Sequence, residues 1–184
     1  MGEMEGFGVT VFEPIAARGS DKISSTRIRD ALKQGKPEEA AQLLGHWWTV
    51  ESRVEQGAAR GRTIGFPTAN MRLVECLKPA FGIYAVRAMI MEDDKPIARH
   101  DGVANFGIRP MSMFKTDEPV LETYLFDFSG DLYGKHLAVE LVAYLRPEAK
   151  LESLEALKAQ IAKDSDAARA ALATAPERPA AQIA

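Results

Sequence analysis

Apolar residues recur along this chain at two spacings, and the change from one to the other divides it. Over 23–44 the spacing is helical. Ser24 or Ser25 can cap a helix that runs on through Leu32, and a second helix over 37–44 begins with proline at a tolerated early position and turns Ala40, Ala41, Leu43 and Leu44 towards a core. From Trp47 the period becomes that of a strand, with Trp48, Val50, Ser52 and Val54 alternating against Thr49, Glu51, Arg53 and Glu55. Further strands are predicted at about 81–91, 97–106, 120–128 and 136–145, divided by turn signals such as Glu92-Asp93-Asp94-Lys95-Pro96 and Ser129-Gly130-Asp131. Successive strands without helices between them imply a mainly β protein, an antiparallel sheet closed into a small barrel.

After Pro147 the helical period returns, with Leu151, Leu154, Leu157 and Ile161 on one face and Leu172 ending the pattern. Such a stripe is expected to lie on the outside of the barrel as packing surface. From Thr174 the Ala/Pro-rich end has few large apolar groups, so a mobile tail is expected. Residues 7–12, Phe-Gly-Val-Thr-Val-Phe, read as a short strand with nothing local to pair with, the remnant of something larger. The expected organisation is a remnant and helical connector over 1–44, a barrel with its helix over 45–172, and a tail over 173–184.

Composition narrows the class. A chain of 184 residues suits one well-cored domain with appendages. A net charge of −3 argues against a general nucleic-acid or anionic-membrane surface. Cys76 is the only cysteine, and no secretory segment or membrane-length apolar run is visible, so a cytoplasmic location is expected. His46, His100 and His136 lack metal-ligand spacing.

Candidate chemistry concentrates in residues 57–70, Gly-Ala-Ala-Arg-Gly-Arg-Thr-Ile-Gly-Phe-Pro-Thr-Ala-Asn. Gly57, Gly61 and Gly65 let the backbone approach an anion, Arg60 and Arg62 supply positive charge, and Pro67 pushes Phe66 into an extended conformation. If the chain stays extended, Thr68 and Asn70 point to one side and Ala69 to the other, which aims two neutral oxygens at one point, where they can share a hard cation with a phosphate. The spacing is not that of a Walker A loop, because only three residues separate Gly57 from Gly61 and Arg62-Thr63 replaces Lys-Ser/Thr. A basic surface turn that binds nothing is the alternative. In 120–128, alternation sets Val120, Glu122, Tyr124, Phe126 and Phe128 on one face. Glu122 is then either a solvated carboxylate near a strand end or one desolvated enough to act as a general base.

The pattern Gly-x-x-x-Gly-Arg followed by Gly-Phe-Pro-Thr-Ala-Asn resembles the signature of the riboflavin kinase family, including the kinase module of bacterial bifunctional FAD synthetases. Similarity continues through Gly102-Val103-Ala104-Asn105-Phe106-Gly107-Ile108-Arg109-Pro110, 122–128, Asp131-Leu132-Tyr133-Gly134 and 144–148. The resemblance implies a six-stranded Greek-key barrel with a flanking C-terminal helix. It also implies transfer of the ATP γ-phosphoryl group to the riboflavin 5'-hydroxyl, giving FMN and ADP. Glu122 would be the base, Thr68 and Asn70 the ligands of Mg2+ or another divalent cation, and Gly57, Arg60, Gly61, Arg62, Gly65, Thr68 and Tyr133 the ATP side. Asn105, Arg109 and Arg146 would form the flavin side, with an ion pair to Glu148 or another acid as the alternative for Arg146.

Residues 23–29, Ile-Ser-Ser-Thr-Arg-Ile-Arg, resemble a motif near the end of the adenylyltransferase module of those synthetases, whose His-x-Gly-His motif this sequence lacks. A fragment that begins just before the module boundary is therefore expected, without adenylyltransferase activity. Residues 111–119 depart from the family pattern, so the flap is expected to close differently over substrate. Two other classes compete. A non-catalytic flavin- or nucleotide-binding barrel would keep the pocket without turnover, and a nucleic-acid-binding barrel would need a basic groove with stacking aromatics.

Overall fold

A computed structural model of the chain describes residues 23–57, 61, 64–73, 77–108 and 119–179. The strand expected over 7–12 and the loop over 111–118 lie outside them. Two short helices come first, α1 (Ser25–Lys33) and α2 (Pro37–Leu44). Ser24 caps α1 by accepting from the Arg27 amide, while Ser25 accepts from Arg29 Nη1 at 3.0 Å. Ala31, Leu32 and Ala40 pack with Leu77 and with Trp48 of the barrel, so the connector is seated on the sheet it precedes.

Six strands follow: β1 (Trp48–Arg53), β2 (Ala69–Arg72), β3 (Gly82–Glu92), β4 (Lys95–Ile108), β5 (Pro119–Leu125) and β6 (His136–Arg146). Every pairing is antiparallel, and the order across the sheet is β1-β6-β3-β4-β5-β2. Strands β3, β4 and β5 follow one another directly while β6 returns beside β3, which is the Greek-key order. The two edges of the sheet meet through one bridge, where the Glu55 amide donates to Asn70 O at 2.8 Å.

Strand β2 was legible only as an extended stretch after Pro67, because four residues are too few for alternation to register. Strand β5 ends sooner than its pattern suggested. Asp127 takes a left-handed φ of 54°, and this turn sends Phe128 to the barrel interior although Phe126 stays on the outer face.

Inside the curl, Tyr84, Phe106, Met71, Leu121, Leu137 and Leu141 are fully buried, and each large side chain there stabilises the fold by about 1.5–3 kcal/mol. The Tyr84 hydroxyl donates to Ala80 O at 2.5 Å, and burial pushes its pKa upward. A second core lies outside the sheet, where Ile83, Ala85, Val103, Phe126 and Val142 meet Trp47, Ala41 of α2, and Ala168 and Leu172 of α3 (Leu154–Thr174).

The stripe expected to bury α3 is only partly the one used. Leu151 and Leu154 are 36% and 49% exposed, Leu157 and Ile161 are half-buried, and the buried positions are Asp164, Ser165, Ala168 and Leu172. Small residues let the helix approach the sheet closely along its second half, whereas the leucines mark a stripe without showing which part of it finds a partner.

The segment after α3 was expected to lack packing, yet it lies along the outer face of the sheet through residue 179. Arg87, 4% exposed, donates from Nη2 to Leu172 O and Ala175 O and from Nη1 to Pro176 O, at 3.2, 2.8 and 2.7 Å. Arg99 pairs with Glu177, Arg178 Nε donates to Gly45 O at 3.2 Å, and Pro179 is buried. Backbone carbonyls supply what the missing apolar side chains do not.

Candidate active site

The sheet register assembles the site. Asn70 of β2 lies opposite Glu122 of β5, Glu122 opposite Asn105 of β4, Asn105 opposite Ile83 of β3, and Ile83 opposite Arg146 of β6. Directly paired residues project to the same face, so these side chains form one row on the outer surface while Leu121, Thr123 and Leu125 fill the interior. Asn70, Glu122 and Asn105 are thus immediate neighbours. Arg146 is three strand spacings from Glu122, about 14 Å.

Strand β2 carries its two oxygen donors as its alternation dictates. Ala69 and Met71 are buried, and Thr68 and Asn70 stand half-buried on the other side. Asn70 Nδ2 donates to Thr68 O at 3.3 Å, which fixes the amide and leaves Oδ1 as the oxygen to offer. Next to this pair the backbone comes in so close that only glycine fits. A Cβ on Gly57 would stand 2.5 Å from Asn70 Nδ2 and 2.8 Å from Oδ1, and one on Gly61 would collide with Phe66 O and reach Thr68 Oγ1 at 3.4 Å. The Phe66 amide donates back to Gly61 O at 2.9 Å, and Gly65 turns the chain with a φ of 88°. Gly57 and Gly61 thus bring the backbone against the side chains of Asn70 and Thr68. Arg60, Arg62 and Arg109, expected at the site from sequence, lie outside the described residues.

Tyr133, 36% exposed, sits in the turn before β6, where its amide donates to Asp131 Oδ1 at 3.0 Å. The turn joins Val54 through backbone pairing, since the Gly134 amide donates to Val54 O and the Val54 amide donates to Lys135 O, both at 2.9 Å. Only Glu55 and Gln56 separate Val54 from Gly57, so the Tyr133 turn and the glycine loop leave the same edge of the barrel.

Arg146 makes an ion pair with an acid, the alternative read from sequence, and that acid is Asp164 rather than Glu148. Its Nε and Nη2 donate to Asp164 Oδ1 and Oδ2 at 2.8 and 2.6 Å, and Nη1 donates to Pro147 O at 2.9 Å. Asp164 is buried on α3 and also accepts from Gln160 Nε2 at 2.9 Å. Hydrogen bonding to Asp164 raises the Arg146 pKa further. Nε and Nη2 thus anchor the end of β6 to α3, while Nη1 holds the turn at Pro147. Glu148 instead lies against Gly107, where a Cβ would stand 2.5 Å from its Oε1.

Sequence reasoning missed three supports of the site. Phe66 packs edge-on against Tyr124, with ring centroids 5.3 Å apart, and Tyr124 meets Phe126 in the same way at 5.8 Å. Arg169 of α3 then covers Phe126 at 4.1 Å, so an aromatic line ties the glycine loop to the helix. The signal was present, because Tyr124 shares the face of Glu122. Glu55, brought beside Asn70 by the bridge, pairs with Arg72 at 2.7 Å. Asp164 carried no signal, since an acid in a helix of this composition reads as surface.

Among the described residues no group of three or more His, Cys, Asp or Glu side chains is placed to hold a metal. No described helix is long and apolar enough to cross a membrane.

A family model described as Flavokinase, riboflavin kinase, matches residues 44–172. The bifunctional riboflavin kinase/FMN adenylyltransferase of Listeria monocytogenes is 42% identical over 166 residues, 89% of this chain and 50% of its own length. The chain thus spans about half the length of the curated relatives it matches. A solved structure titled as a macrolide-efflux protein from Streptococcus pneumoniae superposes with a TM-score of 0.74 at 32% identity, covering 91% of this chain and 54% of that one. The riboflavin kinase of Trypanosoma brucei shares the fold at a TM-score of 0.50 and 21% identity, over 68% of this chain and 77% of its own. With 44–172 matched and the six strands in Greek-key order around the Asn70–Glu122–Asn105 row, the chain belongs to the riboflavin kinase family.

Proposed function

We propose that this chain transfers the γ-phosphoryl group of ATP to the 5'-hydroxyl of riboflavin, with Glu122 as the base. The observation that carries this reading is the register of β2 on β5, which sets the oxygen donor Asn70 directly beside Glu122. Phosphoryl transfer needs the nucleophile held in line with a phosphate whose charge is neutralised, and little else. Glu122 orients the hydroxyl and takes its proton. Backbone amides around Gly57, Gly61 and Gly65 face the phosphates, with Arg60 and Arg62 adding charge and Tyr133 bordering the nucleotide.

Thr68 and Asn70 suit Mg2+ or another divalent cation, because a hard cation accepts neutral oxygens and keeps room for phosphate and water. When bound, that cation supplies charge neutralisation at the phosphates. Asn105 and Arg109 border the flavin, and Arg146 acts on that side by fixing the turn that carries Glu148. The fused adenylyltransferase of the relatives would be the covalent neighbour of this unit, and the cytoplasm its location.

The test is incubation of the chain with riboflavin, ATP and Mg2+, with FMN and FAD separated by chromatography. FMN should accumulate and FAD should not. The Ser24–Arg29 helix start offers only exposed anion contacts, worth about 0.3–1 kcal/mol each, too little to assemble an adenylyl-transfer centre. Riboflavin and ATP binding without any FMN would instead support the non-catalytic barrel.

Asn70→Ala should weaken Mg-ATP binding more than riboflavin binding, since it removes an oxygen on the nucleotide side of Glu122. Calorimetry with each ligand checks the order, and a larger loss for riboflavin would move the cation elsewhere.

A further inference from the structure

Phe66 joins the glycine loop to the barrel by its ring. The turn that leads to it closes on itself, with the Ile64 and Phe66 amides both donating to Gly61 O, at 3.2 and 2.9 Å. Phe66 belongs to none of the apolar clusters among the described residues, and the one ring it meets there is Tyr124 of β5, edge-on at 5.3 Å. Pro67 stiffens the link onward to Thr68, since its ring locks its own φ and keeps the preceding residue extended. Where the Phe66 ring rests therefore decides where the Thr68 oxygen stands.

Tyr124 is a fixed platform for that ring. It lies two residues from Glu122 on the same face of β5, about 7 Å along the strand. It stands edge-on to Phe126 at 5.8 Å, and Phe126 is buried beneath the Arg169 guanidinium at 4.1 Å. Behind it, β4 comes so close that a Cβ on Gly102 would stand 2.5 Å from Tyr124 O. The Tyr124 hydroxyl makes no hydrogen bond among the described residues, so its contact with Phe66 is one of rings. One strand thus carries both the Glu122 carboxylate and the ring against which the Thr68 loop rests.

We propose that Tyr124 is a positioning residue on the nucleotide side: its ring holds Phe66, and through Phe66 the turn that carries Thr68, at a set offset from Glu122. The inference rests on the kinase reading and adds to it that the loop presenting the nucleotide is indexed to the strand that carries the base. In-line transfer depends on that offset, and a displacement of the order of 1 Å is enough to slow it. Edge-on ring pairs hold their geometry through the positive ring edge of one partner lying on the negative face of the other, an attraction that an aliphatic side chain of similar bulk does not supply. The ring is therefore what the loop needs from residue 124, and the hydroxyl is dispensable.

The experiment measures kcat and KM for Mg-ATP, its affinity by calorimetry and riboflavin affinity by fluorescence quenching, on the wild type, Tyr124→Leu, Tyr124→Phe, Phe66→Leu and the double variant Tyr124→Leu/Phe66→Leu. Tyr124→Leu should raise the KM for Mg-ATP by about 3- to 10-fold, the worth of an aromatic pair, and leave riboflavin affinity within about twofold. A purely structural role would lower Tm and the active fraction, and so kcat, without moving this KM. Tyr124→Phe keeps the ring and should match the wild type within about twofold. Phe66→Leu should reproduce the Tyr124→Leu effect, and the double variant should be no worse than either single one, since both remove the same contact. An unmoved KM in Tyr124→Leu, an equal loss of riboflavin affinity, Tyr124→Phe as impaired as Tyr124→Leu, or additive effects in the double variant would each overturn the proposal. Should no form of the chain turn over riboflavin, the kinase reading has failed, and the calorimetric affinities of the same variants for Mg-ATP still decide the role of Tyr124. If Tyr124→Leu does not fold, Phe66→Leu carries the test: a raised KM for Mg-ATP supports the proposal and an unchanged one overturns it.

Discussion

Glu122→Gln should lower the rate of FMN formation by about 10²- to 10⁴-fold, the usual contribution of a positioned general base. Glutamine matches glutamate in shape, so the row it shares with Asn70 and Asn105 is undisturbed. What changes is the chemistry at one atom: the amide cannot take the proton of the riboflavin hydroxyl, which must then leave unassisted. ATP binding should remain nearly intact, because Thr68, Asn70 and the glycine loop are on other elements. Initial rates of FMN formation and calorimetric titration with Mg-ATP measure the two effects separately. Near-normal turnover in this variant would remove Glu122 from the reaction.

The largest effect on stability should come from Arg87→Met, a change outside the site. Methionine fills similar space, but it leaves the carbonyls of Leu172, Ala175 and Pro176 without their donor at a buried helix end. Asp101, 4.0 Å from Arg87 Nε, also loses its cation, although that group is half exposed and contributes little. Removing one member of such a buried polar set costs about 3 kcal/mol. For a chain of this size that lowers Tm by roughly 6–12 °C. Thermal unfolding followed by circular dichroism is the measurement, and an unchanged Tm would show that the carbonyls are satisfied by water.

The segment after α3 also responds to acid. Pairing with Arg99 holds the Glu177 carboxyl below its ordinary pKa, so this contact is present above the unfolded value and is lost as pH falls through the folded one. Glu140, facing Arg99 from β6, is shifted the opposite way by burial. Its effect runs the other way, favouring the fold at low pH and fading as pH rises through its raised value.

Much of the chain was legible from local spacing. The caps of α1, the bounds of α2, the alternation in β1 and the tight turn at Asp93–Asp94, where both residues take a left-handed φ, depend on neighbours within a few positions. The residues around Thr68, Asn70 and Glu122 were legible as a family signature, and strand alternation correctly put Thr68 and Asn70 on one side of β2.

Tertiary structure alone decided what those residues face. Alternation says which side of a strand a residue occupies, but not which residue of another strand stands opposite, and that register brings Asn70, Glu122 and Asn105 into one row from three separate segments. It also decided that Arg146 is bound to Asp164 on α3 and that Arg87 caps the same helix. An arginine looks the same in sequence whether it faces water, a ligand or a buried partner, because its pairing depends on groups that only folding brings within reach.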